Sequence, residues 1–558
     1  MLSPDYKLVV AFDIGTTYSA YAYAEKKDID FKKNDINITC NDPWNSGQSS
    51  LTTDKTPTSV LLIENEKKIR FGYKAENKYA ELIPTSDMPL ADENGKMLLA
   101  ETVFAKAISA LKDEFEEAIK TTGIDLNDED IRWVITVPAI WSEAAKQFMR
   151  KCAHSAGIPG NQLIIALEPE AASIYCQNIP SKDKDEDAIT VFKEGTQYMV
   201  VDLGGGTVDI AVHEKLGKGF LCEIHHATGD DCGGHSVNTS LVEEFRKIFG
   251  KPLIDDVEKI HPLQFFNIHR EFEAAKKVYD PLENSGMQMR IPYSFLKKLC
   301  QNMNQNDFEQ MLLNSEHGDR ITMDDDFVFM DPNLVSQQLF EPTAKRVCEL
   351  ISQIICKVDD SRLTKILLVG GFADSKYIQH AVRTKFPNMK VIVPKHANLC
   401  VVKGAVMFGH SPHLISHRVS RFTYGTEVSA LFDNEKHDQK RKDIVDGEKR
   451  CTGVFSIFTT AGTVLERDTT IERTYSTVQK YQKSIDLSIF MSTKEHPMYI
   501  DEEECTKIGN FHLKLKQPTE EKRSVQVTVV FGNTELKVRA VDKISGENCD
   551  ASFELPLF

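Results

Sequence analysis

Residues 198–207 read Tyr198-Met-Val-Val-Asp-Leu-Gly-Gly-Gly-Thr207, and the fold turns on this stretch. An apolar run ends abruptly in three glycines, and Val208-Asp-Ile-Ala-Val212 then alternates with period two. That pattern predicts strand, glycine turn, strand. Leu8-Val-Val-Ala-Phe-Asp-Ile-Gly-Thr-Thr17 has the same grammar and runs on into Tyr18-Ser-Ala-Tyr-Ala-Tyr23. Asp13-x-Gly-x-Thr17 and Asp202-x-Gly-Gly-Gly-Thr207 therefore match each other. An internal duplication with a site between its halves is the expectation. Two coincident turns are the alternative. A third run, Lys365-Ile-Leu-Leu-Val-Gly-Gly371, also stops on glycines.

Helical patterns lie between these strands. Glu101 to Ala118 spaces Val103, Ala107, Ile108, Leu111, Phe115 and Ala118 three or four residues apart. Ser142 to Ala156 reads as a second helix with Ser142 as N-cap. Alternating strands and helices predict an α/β architecture. Ser181-Lys-Asp-Lys-Asp-Glu-Asp187 reads as a solvated charged loop. The character changes near residue 411, where Ser411-Pro-His413 ends the last helical pattern. From Phe422 onward the chain alternates apolar and polar residues, as in Thr470–Val478, Ile485–Met491, Phe511–Leu515, Val525–Phe531 and Glu535–Val541. Gly532-Asn533 and Ser545-Gly546 supply turns. The expectation is an all-β unit of about 140 residues. A charged insertion, Asn434 to Arg450, reads as a solvated loop, and its Lys440-Arg-Lys442 is only a weak nuclear-targeting signal.

The chain has 558 residues, long enough for roughly three or four domains. Its 67 Lys+Arg against 83 Asp+Glu give a net charge of −16. A non-specific nucleic-acid binder needs a basic face, so that class is disfavoured and no nucleic-acid partner is expected. No apolar run reaches the ~18 residues of a membrane span. The first residues lack a signal-peptide shape, and the last lack a lipidation or retention signal. Twelve cysteines without a Cys-x-x-Cys pair fit a reducing compartment and argue against a structural zinc site. Cys232 reads as a buried, inert thiol. A cytoplasmic location, with the nucleus open, is the expectation.

Glycines at a strand end let the chain turn tightly and let backbone N–H groups approach an anion. Thr16, Thr17 and Thr207 add hydroxyls. Two such turns facing each other would clamp the β- and γ-phosphates of a nucleotide, and Asp13 and Asp202 would hold a hydrated Mg²⁺ through its waters. For one such turn alone, an ordinary hairpin is an equal reading. Other nucleotide folds are disfavoured, since the chain has no G-x-x-x-x-G-K-[ST] and its glycines are consecutive rather than spaced G-x-G-x-x-G.

At these residues the chain resembles the actin-like ATPase superfamily, and within it the 70-kDa heat-shock chaperone family. Phe12-Asp-Ile-Gly-Thr-Thr-Tyr18 and Val201-Asp-Leu-Gly-Gly-Gly-Thr-Val-Asp209 are similar to that family's two phosphate loops. Ile135-Thr-Val-Pro-Ala139 and Glu168-Pro-Glu-Ala-Ala172 resemble the segment joining its lobes. Gly229-Asp230 with Gly233-Gly234, Glu273-Ala-Ala-Lys-Lys277, Leu368-Val-Gly-Gly-Phe372 and Lys403-Gly-Ala-Val406 follow in the family's order. Lys507–Phe511 and Leu536–Gly546 resemble its peptide-binding β-sandwich. Ala139-Ile-Trp141 and the tyrosines 18, 21 and 23 are similar to the divergent heat shock 70 kDa protein 12 branch.

The resemblance implies a two-lobed actin-like ATPase domain over 1–410, with lobes at about 1–197 and 198–390 and a closing helix to 410. A linker at 411–421 and a β-sandwich at 422–558 would follow, without the helical lid. ATP or ADP with Mg²⁺ would be the cofactors. Asp13 and Asp202 would position the hydrated metal. Glu168 would orient metal waters or the attacking water, and Asp209 would support that water. Gly15, Thr16, Thr17, Tyr18, Gly204, Gly205, Gly206 and Thr207 would contact phosphates, with Gly233 and Gly234 beside them. Glu273, Lys276 and Lys277 would border the adenosine, opposite Gly370, Gly371 and Phe372. For Lys276 and Lys277 a solvated helix face is the alternative, and for Glu168 a plain helix-start carboxylate.

Two departures bear on function. The family's phosphate-contacting lysine sits in an F-x-x-K segment some twenty residues beyond a junction that Phe71-Gly-Tyr-Lys-Ala75 resembles. The stretch Glu76 to Leu90 contains no F-x-x-K, and Lys74, Lys78 and Lys96 are the substitutes within reach of sequence reasoning. The link, His413-Leu-Ile-Ser-His-Arg-Val-Ser420, is also more basic than the family's acidic, leucine-rich one. The leading reading is a divergent chaperone-type protein that binds ATP with magnesium and hydrolyses it slowly. It would engage extended peptide segments or a dedicated partner, with co-chaperones. The alternatives are a non-hydrolysing nucleotide-sensing scaffold and a small-molecule kinase of the same superfamily.

Overall fold

Leu8–Ile14 and Gln197–Leu203 are seven-residue strands buried at every position. Each leads through its glycine turn into an eight-residue strand, Tyr18–Glu25 and Val208–Lys215 respectively. The turns close alike: Gly15 N–H donates to Tyr18 O (3.2 Å) and Gly204 N–H to Thr207 O (2.9 Å). A computed structural model describes residues 6–31, 33–46, 52–63, 68–82, 99–179, 193–283, 285–303, 308–358, 361–516, 518–531, 533–546 and 548–551. The charged loop at 181–187, Lys96, Gly532 and the last seven residues lie outside them.

The duplication holds at the level of topology. In one sheet the neighbours run Leu163–Leu167, Ile131–Val137, Leu8–Ile14, Tyr18–Glu25. In another they run Lys390–Ile392, Leu363–Val369, Gln197–Leu203, Val208–Lys215. Both place two parallel strands beside a glycine hairpin. Parallel strands covered on both faces must be apolar throughout, as Leu-Val-Val-Ala-Phe and Tyr-Met-Val-Val are. Parallel order also gathers the carboxyl ends of the strands at one edge, where open α/β sheets bind ligands. Val137 lies opposite Leu167, just before Glu168. Asp202 lies opposite Val369, just before Gly370.

Helix Ala100–Lys120 buries Ala107, Ile108, Leu111 and Phe115, with the Phe115 ring edge-on to Trp133 at 5.6 Å. Helix Glu143–Ser155 starts where Ser142 Oγ accepts from Ala145 N–H at 3.2 Å, the expected N-cap. Helix Cys400–His410 lies against helix Glu168–Gln177, so closely that Gly404 faces the Ala171 carbonyl.

The chain divides into two compact units. Residues 1–139, 152–210 and 228–411 form one, which carries both duplicated cores; residues 140–151, 211–227 and 412–558 form the other. In the second unit a five-stranded antiparallel sheet runs Lys442–Val445, Glu448–Thr459, Thr423–Leu431, Ser484–Ser492, Cys505–Lys514. A four-stranded one runs Thr469–Ser476, Ser524–Phe531, Lys537–Asp542, Asn548–Ala551. Ile485, Leu487 and Ile489 of the first meet Val525, Val527 and Val529 of the second in one core. The strict in-out burial of Ser524–Phe531 is the expected alternation.

Two expectations are corrected. Within the expected linker, Ile415–Val419 is a strand: it pairs in parallel with Leu221–Asp230 and antiparallel with Val464–Glu466. Ser416 Oγ donates to Leu221 O (2.9 Å), and Val419 N–H to Glu223 Oε2 (2.8 Å). Basic residues there do not prevent pairing, because strand hydrogen bonds come from the backbone. The insertion 434–450 is not simply a solvated loop either. Lys442–Val445 pairs with Glu448–Thr459, and Arg441 lies over the Tyr499 ring (4.0 Å) while bonding Asp501.

Inside the second unit, Arg523 and Asp542 form an ion pair that is almost wholly buried, 2 % and 0 % exposed. Removing one partner leaves the other charged in the core, at a cost of about 3–5 kcal/mol. Asp542→Ala is therefore expected to move the denaturant midpoint of the second unit's unfolding sharply down. Lys522→Ala, at a neighbouring exposed ion pair, should leave it in place.

Candidate nucleotide site

Asp13 and Asp202 occupy the penultimate positions of the two matched strands. Glu168 opens helix Glu168–Gln177, and Asp209 is the second residue of Val208–Lys215. All four carboxylates are buried, none more than 9 % exposed. Each feels the others. Burial, then Asp209 and Asp13, push the Asp202 carboxyl up to about 8, against the pull of Lys55. Burial, then Asp202, Asp13 and Asp209, hold the Glu168 carboxyl well above the usual range. Carboxylates so crowded do not all ionise unless positive charge joins them.

Lys55 supplies one such charge. Its Nζ donates to Asp13 Oδ2 at 2.5 Å, while Thr136 Oγ1 donates to Asp13 Oδ1 at 2.8 Å. Burial alone would lower the Lys55 pKa, but Asp13, with Asp202 and Glu168, holds it above the usual lysine value. Sequence reasoning missed this lysine, which sits among threonines in Thr52-Thr-Asp-Lys-Thr-Pro-Thr58 and reads there as a polar loop. Of the expected substitutes, Lys74 is exposed and pairs with Glu114, so it does not enter the cleft. Lys78 is half-buried on helix Tyr73–Leu82.

The two glycine turns abut. A Cβ at Gly205 would lie 1.7 Å from Thr17 Oγ1, and one at Gly206 would lie 2.8 Å from the Thr16 Cβ. Only glycine permits that approach. Gly233, Gly234 and His235 donate their N–H groups to the carbonyls of Gly206, Gly204 and Gly205 at 2.7–3.0 Å, which fixes the second turn from behind. The N–H groups of Gly205 and Gly206 meet no protein acceptor among the described residues. Unpaired N–H groups on a turn form an anion cradle. Gly370, at φ +89°, brings its backbone against Asp202, where a Cβ would lie 2.3 Å from Oδ1.

On helix Pro262–Val278, Lys276 Nζ donates to Glu273 Oε1 (2.7 Å), Asn238 Oδ1 (2.8 Å) and Gly234 O (3.1 Å), and lies 5.6 Å from the Phe372 ring centroid. Lys276 is thus buried with Glu273, Gly234 and Phe372 beside the second turn, not on a solvated face. Burial lowers its pKa, and Glu273 opposes that. Lys277 is exposed, and its charge acts on both Glu273 and Lys276. Gly371 faces open space. Burial, then Glu273, Tyr73 and Glu76, raises the Tyr18 hydroxyl well above the usual value. Cys232 is buried and its thiol is pushed up to about 11, chiefly by burial, which fits an inert residue.

Hard oxygen donors suit Mg²⁺, which keeps several waters. Among the described residues no three acidic, histidine or cysteine side chains converge tightly enough to ligate an ion directly. The donor set therefore fits a hydrated ion held through its waters by Asp13 and Asp202. Arg270 ties helix Pro262–Val278 to helix Tyr73–Leu82. Its Nη2 donates to Glu76 Oε2 (2.8 Å) and Asn77 Oδ1 (2.9 Å), and its guanidinium lies 5.3 Å from the Tyr73 ring centroid. The pair is only 8 % and 14 % exposed. Arg270→Ala is expected to speed amide hydrogen exchange in 73–82 by about tenfold or more, because Glu76 and Asn77 lose the guanidinium that ties their helix to Pro262–Val278. An unchanged exchange rate there would deny the latch.

Residues 71–316 match the family profile described as Hsp70 protein. The chain is 31 % identical over 611 residues to heat shock 70 kDa protein 12A of Mus musculus, covering 96 % of this chain and 89 % of that one. It is 28 % identical over 632 residues to heat shock 70 kDa protein 12B of Homo sapiens, covering 98 % and 91 %. Chaperone protein DnaK of Mycoplasmoides gallisepticum is 24 % identical over 566 residues, covering 97 % and 79 %.

Proposed function

The chain belongs to the Hsp70 family, in its heat shock 70 kDa protein 12 branch, and on that premise we propose that it binds ATP or ADP with Mg²⁺ between its two glycine turns and hydrolyses ATP slowly. Family membership supports a chaperone-like ATP-binding protein. The observation that carries Mg²⁺-nucleotide binding and hydrolysis is the juxtaposition of unpaired N–H groups at Gly205 and Gly206 with four buried carboxylates. Backbone donors take phosphate oxygens, and carboxylates repel them unless a cation intervenes. A site with both is built for a phosphate and a cation together.

The chain's own groups divide the work as follows. Gly205, Gly206 and the hydroxyls of Thr16, Thr17 and Thr207 bind the terminal phosphates. Asp13 and Asp202 hold the metal's waters. Magnesium, when bound, supplies charge neutralisation at the bridging oxygens. Glu168 and Asp209 orient the attacking water, so positioning carries most of the catalysis. Glu273, Lys276 and Phe372 border the adenosine. The β-unit takes extended apolar segments or a dedicated partner, and its exposed Leu431, Ile444, Tyr481 and Met498 support that reading. Co-chaperone contacts and a cytoplasmic or nuclear place of work belong to the same proposal.

Single-turnover hydrolysis of labelled ATP, beside equilibrium binding, tests it on the native chain and on Asp202→Asn. Binding with slow turnover, reduced by roughly two orders of magnitude in Asp202→Asn, is expected. Tight binding without turnover would make the chain a nucleotide-sensing scaffold. A phosphorylated small-molecule product would make it a kinase.

A further inference from the structure

We propose that Lys55 is the phosphate-binding cation of this site, parked on Asp13 in the nucleotide-free chain and transferred to the terminal phosphates when nucleotide enters. The inference rests on the nucleotide reading above and deepens it.

The backbone carrying Lys55 is stapled to the first glycine turn. Thr56–Pro57 pairs with Tyr18–Ser19. Thr58 N–H donates to Thr17 O (2.8 Å), and Thr58 Oγ1 donates to Gly15 O (2.6 Å). On the other side, Asp54 O accepts from Asn41 Nδ2 (2.9 Å) and Asp54 Oδ2 from Asn398 Nδ2 (2.9 Å). Behind it, Tyr73 N–H donates to Thr56 Oγ1 (3.2 Å). The Lys55 main chain is therefore held fast at the turn that would carry phosphate, while its four-carbon stem stays free to redirect the ammonium.

Asp13 already has a donor on each oxygen, Thr136 on Oδ1 and Lys55 on Oδ2. A hydrated divalent ion held there would share the carboxylate with the ammonium, and like charges so placed repel. Arriving phosphates relieve the conflict: they attract the ammonium away from Asp13 and leave Oδ2 to the metal's waters. Lys55 and the metal thus compete when phosphate is absent and cooperate when it is present. The lysine also comes from a segment different from the one in which sequence reasoning sought it, so the missing F-x-x-K does not leave the site without a cation.

The test uses the full chain with Lys55→Met, Lys55→Arg and Asp13→Asn. Affinities for ATP and adenosine are measured by titration calorimetry, with and without Mg²⁺, and Mn²⁺ alone is followed by electron paramagnetic resonance. Lys55→Met should bind Mg·ATP about 10- to 100-fold more weakly, the range of one charge-assisted hydrogen bond, with adenosine affinity unchanged. Lys55→Arg should stay within a few-fold of the native chain. Lys55→Met should bind Mn²⁺ alone more tightly than the native chain. Asp13→Asn is isosteric, so it keeps the test alive where Lys55→Met does not fold; it frees the ammonium and should bind metal-free ATP more tightly. Equal ATP affinity in Lys55→Met, or equal losses for adenosine and ATP, would overturn the assignment, as would unchanged metal-free ATP affinity in Asp13→Asn. If the native chain binds none of these nucleotides, the nucleotide reading fails with it. If the native chain binds them and the variants do not differ, only the role of Lys55 fails.

Discussion

Four carboxylates buried within one another's fields are the constraint on which the rest of the structure depends. Nothing in a stable fold gathers Asp13, Glu168, Asp202 and Asp209 without a compensating charge. Two matched strands deliver the aspartates, a helix start delivers Glu168, and a lysine from a threonine-rich loop brings a positive charge onto Asp13. The arrangement costs stability. Its persistence at the carboxyl edge of two parallel sheets makes sense as readiness for a cation-bearing ligand.

The glycines give that readiness its geometry. Gly205 and Gly206 let the two turns meet through Thr17 and Thr16, and Gly370 lets a third turn press on Asp202. The carbonyls of the second turn are all engaged from behind by residues 233–235. Its N–H groups therefore point the other way, and donors and acceptors are sorted to opposite sides of one loop. Arg270 reaches from helix Pro262–Val278 to Glu76 and Asn77 and ties the two helices together.

Much of this was legible in the sequence because it is local. Asp202-Leu203 followed by three glycines is a strand end whatever surrounds it, and the match with Asp13-x-Gly-x-Thr17 needed no structure. Glu273 and Lys276 were legible by resemblance, though their burial was not, since a helix with lysines near its end reads as solvated. Lys55 was not legible. Its role arises from pairing between Thr56–Pro57 and Tyr18–Ser19, a contact across nearly forty residues that no period or motif records. Ile415–Val419 was read as a linker for a similar reason. His, Arg and Ser suggest solvent, but the strand is fixed by the backbone of Leu221–Asp230 beside it. Arg523 with Asp542 is likewise a contact between residues far apart in the chain, and it lies in the core.

The central claim is that the space between the two glycine turns is where phosphate binds. A structure of the chain with ADP and Mg²⁺ tests it most directly. The account predicts the diphosphate against the N–H groups of Gly205 and Gly206, a hydrated ion facing Asp13 and Asp202, and adenosine beside Phe372. Nucleotide bound elsewhere, or a cleft left unchanged at saturating nucleotide, would contradict it.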